Sequence, residues 1–513
     1  MARKWWTLVV TCLAIFMLLV DITIVNVALP AIAKDLDANF SDLQWVIDAY
    51  ALTLAGLLLT AGTLADRFGR RMVFAVGLVL FTLSSVACAL APTALALILA
   101  RGVQGVGGAV LFPVSLALLA QDFTGRDRAT AFGIWGATTG AAVAVGPLVG
   151  GALTDGLSWP WIFYLNVPVG AVAVWITLRY VRETKDPHPS GVDWGGTVTF
   201  TAALFCLVLA LIRANDEGWG STLIVSLFVA TTVLLVAFVV IEARLGDGAM
   251  FDLRLSRNQA FNGTSIAAFA LSASMFAMFL YLTLYMQTIL GFGPFAAGLR
   301  FLPVTVLSFF CAAASGRLTE HVPMRYLMAG GLTAVGVALL LMRGLGAASE
   351  WTALLPGMLL AGVGIGLINP ALASASIGVV PPQRSGMGSG INSTFRQVGI
   401  ATGIAALGAI FQSVIGTKVD EQLAGTPVAA QSGQIADAIA GGGAQQVIAN
   451  TPEPIRGQVR HAVVVVFTTA LNDILLVAAV VALAGAVLAL LLVRQRDFHP
   501  RPVGAAAAPA AEA

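Results

Sequence analysis

Charged side chains are scarce in this sequence. Lysine, arginine, aspartate and glutamate make up 11% of the 513 residues, whereas 58% are hydrophobic. A soluble protein of this length would need more polar surface to cover its core. Apolar runs of about 20 residues, long enough to cross a hydrocarbon core, recur from one end of the chain to the other. The sequence therefore predicts an all-α polytopic membrane protein.

Cysteine and histidine are equally rare, with four of each. The cysteines lie inside apolar runs, where they are predicted to be small buried side chains rather than disulfide partners or metal ligands. The histidines fall at loop or helix-end positions, and no nucleophile or phosphate-binding motif stands out. We therefore expect no enzymatic activity, no metal, no cofactor and no nucleic-acid partner.

Fourteen apolar segments are predicted to span the membrane. The first follows Arg3 and Lys4 and lacks a cleavage signal, so it is predicted to remain as a helix. Basic residues concentrate in the even-numbered connections, which places both termini in the cytoplasm by the positive-inside rule. The predicted spans are 6–30, 43–65, 72–91, 94–119, 130–154, 162–181, 195–213, 221–241, 260–290, 297–318, 326–345, 353–378, 387–414 and 463–493.

The chain contains a degenerate internal repeat. Residues 62–78 align without gaps on residues 316–332. Two charged positions recur in the copy, Asp66 as Glu320 and Arg71 as Arg325. Two pseudo-symmetric halves of membrane helices are typical of a transporter that works by alternating access.

The repeat predicts four parts of the chain. They are an N-terminal six-helix bundle (1–185), two inserted linker helices with their loops (186–255), a C-terminal six-helix bundle (256–495) and a disordered cytoplasmic tail (496–513). The last bundle includes a long outer loop at 415–462, rich in Gly, Ala, Gln and Pro. We expect this loop to be mobile, with room for a short helix and no domain of its own.

Two charges inside the predicted spans are the strongest candidates for proton handling. Asp21 lies nine residues before Pro30, the predicted outer end of the first span. Arg101 lies nine residues after Pro92, the predicted outer start of the fourth span. Both would therefore sit about 13 Å below the outer surface and could meet or share a water-filled cavity. A carboxylate that gains and loses a proton beside an arginine is a workable proton switch. A permanent structural salt bridge is the alternative.

Glycine-rich helices accompany these charges. Arg101, Gln104 and Gly105 share one helix face, where glycine lets a neighbouring backbone approach closely. Further along, a second cluster predicts a kinked and tightly packed helix. Its members are Gly146, Pro147, Gly150 and Gly151. Taken alone, such a helix indicates packing more often than function.

A basic stretch, residues 62–71, separates the second and third spans; we call it the cytoplasmic motif. Asp66 and Arg70 are four residues apart and would share a face on a continuing helix. Gly69 permits the backbone to turn between them. Asp66 could pair with Arg70 or face the N-terminus of a neighbouring helix. A plain topology signal is the simpler interpretation, but the spacing and the degenerate copy argue for more.

Together these stretches resemble the major facilitator superfamily, specifically its fourteen-helix drug:proton antiporters. Several motifs in the correct order carry the resemblance, which covers about residues 5–495. They comprise the Asp21–Pro30 stretch; Gly62, Leu64, Asp66, Arg67, Gly69, Arg70 and Arg71; Leu97, Arg101, Gln104 and Gly105; Gly146, Pro147, Gly150 and Gly151; the Trp161–Gly170 stretch; and Gly390, Asn392, Arg396, Gln397 and Gly399. Ala142 and Pro160 depart from the pattern, which has glycine and arginine there.

The resemblance implies a major-facilitator fold and efflux driven by inward proton flow, with the proton gradient as energy source. It gives Arg101 a part in proton transfer and Asp21 a part in coupling or cation recognition. It assigns the antiport direction to the Gly146–Gly151 cluster. The cytoplasmic motif would hold the two halves together in the outward-open state, with Glu320 and Arg325 as a weaker counterpart.

Other polar side chains are candidates for a substrate cavity, namely Asn26, Asp48, Tyr285, Asn392 and Arg396. Asp48 could equally be a solvated charge at the outer end of its helix. Tyr285 belongs to an aromatic and methionine-rich helix that could equally face lipid. Arg396 lies near mid-membrane and must face a cavity or a partner.

The leading hypothesis is a monomeric, lipid-embedded exporter in a bacterial cytoplasmic membrane. It would exchange protons for amphipathic drugs or antibiotics, including cationic ones. One alternative is export of a single endogenous metabolite, self-made antibiotic or lipid on the same fold. A transport-inactive membrane sensor is a weaker alternative, because it would need no buried aspartate and arginine.

Overall fold

The computed structural model describes residues 3–38, 40–185, 193–246, 251–319, 321–423, 431–440, 443–451 and 453–498. Over these ranges the protein is helical throughout and contains no β-strand. Glu320, one of the predicted site residues, lies outside the described residues.

Fourteen long helices follow one another in the described part of the chain. Their bounds are α1 Arg3–Asp35, α2 Phe40–Phe68, α3 Arg70–Ala89, α4 Ala94–Asp122, α5 Gly125–Gly156, α6 Trp161–Tyr180, α7 Trp194–Glu217, α8 Thr222–Leu245, α9 Gln259–Ile289, α10 Pro294–Leu318, α11 Met324–Leu341, α12 Leu355–Gly378, α13 Ser385–Leu423 and α14 Glu453–Leu492. Helix α9 contains two π-helical segments, Ser272–Phe276 and Tyr285–Ile289.

Thirteen of these helices are long and apolar enough to cross a membrane, as judged over the described residues. The exception is α5, which has 32 residues and many glycines and threonines. The prediction of fourteen spans is therefore confirmed for thirteen helices. A helix occupies the predicted place of the fifth span, and its crossing stays a prediction.

Two apolar cores organise the helices. One lies among α1 to α6 and the other among α9 to α14. The two groups of helices meet where α2 packs against α13 and where α5 packs against α10 and α12. This is the arrangement that the internal repeat indicates, although the exact domain limits stay a prediction.

The inserted helix α7 contacts both groups of helices. Near the C-terminal end of α7, Arg213 donates from Nη1 to Gln44 Oε1 at 3.2 Å, and its Nη2 lies 3.9 Å from Asp48 Oδ2 on α2. Two residues later, Asn215 donates to the Ala405 carbonyl of α13 at 3.1 Å. Asp48 is only 6% exposed, so the solvated-charge interpretation is wrong for this residue. The carboxylate is used to attach the insertion to α2.

The outer connection is more ordered than the sequence predicts. Helix α13 continues to Leu423 because Ile415, Val419 and Leu423 repeat every fourth residue and bury one helical stripe. Two short helices follow, Ser432–Ala440 and Ala444–Asn450, and both pack on the C-terminal core. The prediction of a mobile loop over 415–462 is therefore wrong for these parts. Residues 424–430, 441–442 and 452 lie outside the described residues.

The start of the C-terminal tail is also packed. Residues Gln495–Asp497 form a 3-10 turn, and the Asp497 carbonyl accepts a hydrogen bond from Asn258 Nδ2 at 2.8 Å. Phe498 is partly buried against the C-terminal core. The predicted disorder is thus wrong for 496–498, and residues 499–513 lie outside the described part of the chain.

Candidate functional site

Asp21 of α1 and Arg101 of α4 form an ion pair inside the membrane-spanning bundle. Arg101 Nη1 donates to Asp21 Oδ2 at 2.5 Å, and the two residues are 2% and 1% exposed. The structure therefore brings together the two residues that the sequence places at one depth. An ion pair removed from water is stable only if its remaining polar atoms are also satisfied.

Amide side chains satisfy the second oxygen of Asp21. Gln104 Nε2 donates to Asp21 Oδ1 at 2.8 Å, and Asn166 Nδ2 donates to the same oxygen at 3.0 Å. Both amides also donate to the Ser85 hydroxyl, at 2.8 and 3.2 Å. Donors from α4 and α6 thus meet at one carboxylate of α1, and Ser85 of α3 holds both amides in place.

Asn166 is a site residue that the sequence does not single out. It lies in the Trp161–Gly170 stretch, but nothing in the sequence connects it to Asp21. A single amide in an apolar span is the signal that was available, because a buried amide needs a polar partner.

Aromatic rings enclose the Arg101 guanidinium. The Tyr50 ring centroid lies 4.1 Å from it and that of Phe163 lies 5.9 Å from it, both within range of a cation–π contact. Arg101 Nε donates to the Val46 carbonyl at 3.2 Å, and Nη1 also donates to Gln104 Oε1 at 2.6 Å. The guanidinium is therefore held in one orientation, aimed at Asp21.

Gly105 lets α4 approach α2 beside this ion pair. A Cβ atom at Gly105 would lie 2.5 Å from the Tyr50 carbonyl oxygen and would also overlap the Thr53 hydroxyl. A Cβ atom at Gly102, one turn away on α4, would meet nothing within 4 Å. The close approach therefore requires glycine at one position and not at the other.

We expect Gly105→Val to impair transport and folding, and Gly102→Val to be tolerated. The valine at 105 must push α2 away from α4, at a cost of about 1–3 kcal/mol for overpacking. Thermal melting of the purified variants and whole-cell efflux measure the two effects. Equal behaviour of both variants would show that the α2–α4 contact is not needed.

The glycines of α5 bring that helix against α1. A Cβ atom at Gly146 would overlap the Thr23 side chain, and one at Gly150 would lie 2.8 Å from the Ile24 side chain. Gly151 points elsewhere, with Phe295 of α10 at 3.9 Å. The helix continues through Pro147, whose side chain lies outside the description. The cluster is thus a packing surface, and its assigned part in antiport direction stays a prediction.

The cytoplasmic motif joins the two groups of helices. Asp66 Oδ1 accepts from Arg70 Nη2 at 2.7 Å and from the backbone N–H of Gly386 at 3.0 Å. Its Oδ2 accepts from the N–H of Met387 at 3.0 Å. Asp66 therefore makes both contacts that the sequence offered as alternatives, and the helix end that it faces is the N-terminus of α13. Arg70 also donates to the Gln383 carbonyl at 3.2 Å.

The rest of the motif fixes the start of α3. Gly69 has φ 111°, a left-handed conformation that favours glycine. The carboxylate of Glu183 accepts from the backbone N–H groups of Arg71 and Met72, at 3.1 and 3.0 Å. Arg71 donates to the Leu178 carbonyl at 2.6 Å, and the Arg67 guanidinium lies 5.6 Å from the Phe68 ring. Gly62 lies against the backbone of Gly386, with no room for a side chain.

The second-half counterpart is only partly visible. Arg325 Nη2 donates to the Tyr326 hydroxyl at 2.7 Å, in an exposed position. Because Glu320 lies outside the described residues, the predicted pairing of these two residues stays a prediction.

Arg396 of α13 is a second buried arginine, only 8% exposed. Its Nη1 donates to Asn369 Oδ1 of α12 at 3.0 Å, and the Phe276 ring of α9 lies 5.5 Å from the guanidinium. Asn392 lies one turn earlier on the same face of α13 and is 4% exposed. The structure thus groups two of the predicted cavity residues.

The other predicted cavity residues lie elsewhere. Tyr285 is 1% exposed within the C-terminal core, stacks on Phe467 and donates to the Ser349 carbonyl at 3.3 Å. Its place in a substrate cavity is therefore not supported, because core packing and the outer connection use both its ring and its hydroxyl. Asp48 is paired with α7, and the side chain of Asn26 lies outside the description.

Comparison with known proteins identifies the family. The sequence model of the Major Facilitator Superfamily matches residues 11–404 of the chain. The chain is 36% identical over 414 residues to the puromycin resistance protein pur8 of Streptomyces alboniger, covering 80% of this chain and 82% of that protein. It is 34% identical over 419 residues to the multidrug resistance protein Stp of Mycobacterium tuberculosis (strain CDC 1551 / Oshkosh), covering 81% and 78%.

A solved structure shares the fold. The human organic anion transporter MFSD10 (TETRAN) aligns with a TM-score of 0.60 over 94% of this chain and 100% of that chain, at 14% sequence identity. The sequence-based expectation of the family is therefore confirmed, and the helical architecture agrees with it. The chain is a multi-pass membrane protein that belongs to the Major Facilitator Superfamily, among its drug-efflux transporters.

Proposed function

We propose that this protein exports amphipathic drugs or antibiotics from the cell in exchange for protons. The observation that carries the proposal is the buried ion pair of Asp21 and Arg101, sealed between α1, α4 and α6. A charged pair deep in a membrane bundle is costly and is usually retained for function. Relatives that confer resistance to puromycin and to several drugs support the cargo class.

Asp21 would act as the proton carrier. In this structure, Arg101 and the two amides donate to both oxygens of its carboxylate. A rearrangement that withdraws Arg101 from Asp21 would let the carboxylate take a proton from the outer side. The return of Arg101 would expel the proton inward, which couples proton movement to the conformational change.

The contacts of the cytoplasmic motif would set the other half of the cycle. The Asp66 contacts to Gly386 and Met387 close the cytoplasmic ends of α2 and α13. We propose that these contacts form in the outward-facing state and break when the protein accepts cargo from the cytoplasm. The proposal includes a bacterial cytoplasmic membrane, cytoplasmic termini and a monomeric protein.

Export of one self-made antibiotic is the second candidate cargo. A methylenomycin A resistance protein of Streptomyces coelicolor is 32% identical to the chain over 394 residues. A panel of unrelated compounds distinguishes the candidates, because a dedicated exporter would recognise one of them and a multidrug exporter would recognise many.

We expect everted membrane vesicles with an acidic interior to accumulate the cationic dye rhodamine 123, and Asp21→Asn to abolish the stimulation by the gradient. The amide cannot exchange a proton, so only downhill movement should remain. Dye uptake with and without an imposed pH gradient measures the effect. Asp473→Asn, which removes a partly exposed carboxylate from α14, is the control. Uptake that ignores the gradient in the wild-type protein would overturn proton coupling.

A further inference from the structure

Arg396 differs from Arg101 in having no acidic partner among the described residues. Among the side chains that the structure describes, no carboxylate forms an ion pair with Arg396, whereas Arg101 contacts Asp21 directly. Arg396 lies 12 residues beyond Arg384 at the cytoplasmic end, so it sits about 18 Å along the helix, near mid-membrane. A buried cation at that depth is costly unless an anion compensates it.

Two buried amide donors accompany this cation. Arginine can only donate, so its contact at 3.0 Å fixes Asn369 Oδ1 as the acceptor and leaves Nδ2 as a donor. That Nδ2 atom is buried and makes no hydrogen bond with the described protein, and the same is true of Asn392 Nδ2. The local set therefore contains two amide donors that have no acceptor among the described residues.

Asn392 and Arg396 lie on the side of α13 that faces the other half of the protein. Ser389, seven residues before Arg396 on the same helical stripe, donates to the Pro113 carbonyl of α4 at 2.7 Å. Arg396 occupies the corresponding position two turns toward the outer side. Substrates of this fold bind at the interface between the repeats near mid-membrane, which is where the stripe leads.

The neighbouring part of α9 is irregular. The π-helical segment Ser272–Phe276 packs against α13, where a Cβ atom at Gly399 would lie 3.0 Å from the Ser272 side chain. Its last residue, Phe276, presents its ring to the Arg396 guanidinium. Such π-helical turns are frequent at functional sites, because they shift side chains out of the regular helical register. An aromatic face next to a donor cluster suits a flat organic molecule with one anionic group.

We propose that Arg396, with Asn369 and Asn392, is the receptor for an anionic group of the exported molecule, such as a carboxylate or an ionised phenol. This inference rests on the proposed export function and gives it a substrate class. The cargo would then include amphipathic, aromatic organic acids and zwitterions. Its negative group would take the place beside Arg396 that a carboxylate of the protein takes beside Arg101.

A pair of dyes tests this receptor. Rhodamine 110 and its methyl ester, rhodamine 123, share one ring system and differ in a free carboxylate. We expect Arg396→Gln to weaken binding of rhodamine 110 by about tenfold or more, while binding of the ester changes less than about twofold. Fluorescence polarisation on purified full-length protein, without a proton gradient, measures both affinities.

Three further variants separate the proposed role from trivial effects. Arg396→Lys should recover part of the preference for the carboxylate, because it keeps the charge. Arg343→Gln removes an exposed arginine of the same bundle and should alter neither affinity. Asn392→Ala should weaken binding of the carboxylate dye alone, and it gives an answer if Arg396→Gln does not fold.

The outcomes distinguish this inference from the export proposal. Equal losses for both dyes, or unchanged binding of rhodamine 110 by both Arg396→Gln and Asn392→Ala, would overturn the anion receptor. If the wild-type protein binds the ester and Arg396→Gln leaves the affinity for rhodamine 110 unchanged, this inference alone is wrong. Wild-type protein that binds neither dye contradicts the receptor and the broad drug cargo together.

Discussion

Replacing Arg101 by alanine is expected to abolish proton-driven transport and to lower the thermal stability of the protein. The variant leaves Asp21 buried, with two amide donors but without its countercharge. Breaking a buried pair by removing one partner costs about 3–5 kcal/mol, because the remaining charge is uncompensated. Melting of the purified protein and dye uptake by everted vesicles measure the two consequences.

Removing both charges separates stability from function. In the double variant Asp21→Leu with Arg101→Met, no uncompensated charge remains, so we expect most of the lost thermal stability to return. Transport should not return, since no group can carry the proton at this position. Melting of Arg101→Ala at the wild-type temperature would contradict the structural argument. Gradient-driven uptake by the double variant would contradict the functional one.

The depth of this ion pair could be predicted because prolines near the helix ends serve as reference points for depth. Pro30 lies five residues before the end of α1 and Pro92 lies two residues before the start of α4, and a fixed rise per residue places Asp21 and Arg101 at one level relative to them. The orientation of the pair could not be predicted. Asn166 reaches Asp21 only because α6 is rotated correctly against α1, and that rotation depends on packing among four helices.

Errors in the prediction have a common physical cause. Hydropathy shows where a helix leaves the hydrocarbon region, but not where its backbone hydrogen bonding stops. Helix α13 continues beyond the predicted span end at 414, because Ile415, Val419 and Leu423 pack against apolar residues of the C-terminal core. The sequence cannot decide whether Asp48 faces a cavity or solvent, because its partner, Arg213, belongs to an insertion that the internal repeat cannot place.

The cytoplasmic motif shows how far local spacing can lead. Residues four apart predict the contact of Asp66 with Arg70, and the structure confirms it. The sequence also offered a neighbouring helix N-terminus as a partner, but it could not identify α13 as that helix. The contact joins residues 320 positions apart, so it depends on the relative placement of the two bundles.

Replacing Gly386 by valine is expected to open the cytoplasmic side and to stop transport. A Cβ atom at this position would lie 2.7 Å from Asp66 Oδ1 and would also overlap the Gly62 carbonyl. The added side chain would meet the backbone of Gly62 and the Asp66 carboxylate, which Arg70 holds in place. Neither group can move aside as a flexible side chain would. The N-terminus of α13 must therefore separate from α2. Gly416→Val on the same helix is the matched control, because a Cβ atom there meets nothing within 4 Å.

Labelling from the cytoplasmic side measures this opening. A cysteine introduced by Ser389→Cys, in protein whose four native cysteines are replaced by serine, lies one turn inside the closed contact and is fully buried in the wild-type arrangement. Gly386→Val should make it react rapidly with a water-soluble maleimide, and Gly416→Val should leave it slow. Asp66→Ala should act in the same direction, since it removes the acceptor for two N–H groups of α13. If Gly386→Val transports normally and its cysteine stays unreactive, then α2 and α13 separate elsewhere, and the cytoplasmic motif serves only to fix the turn between α2 and α3.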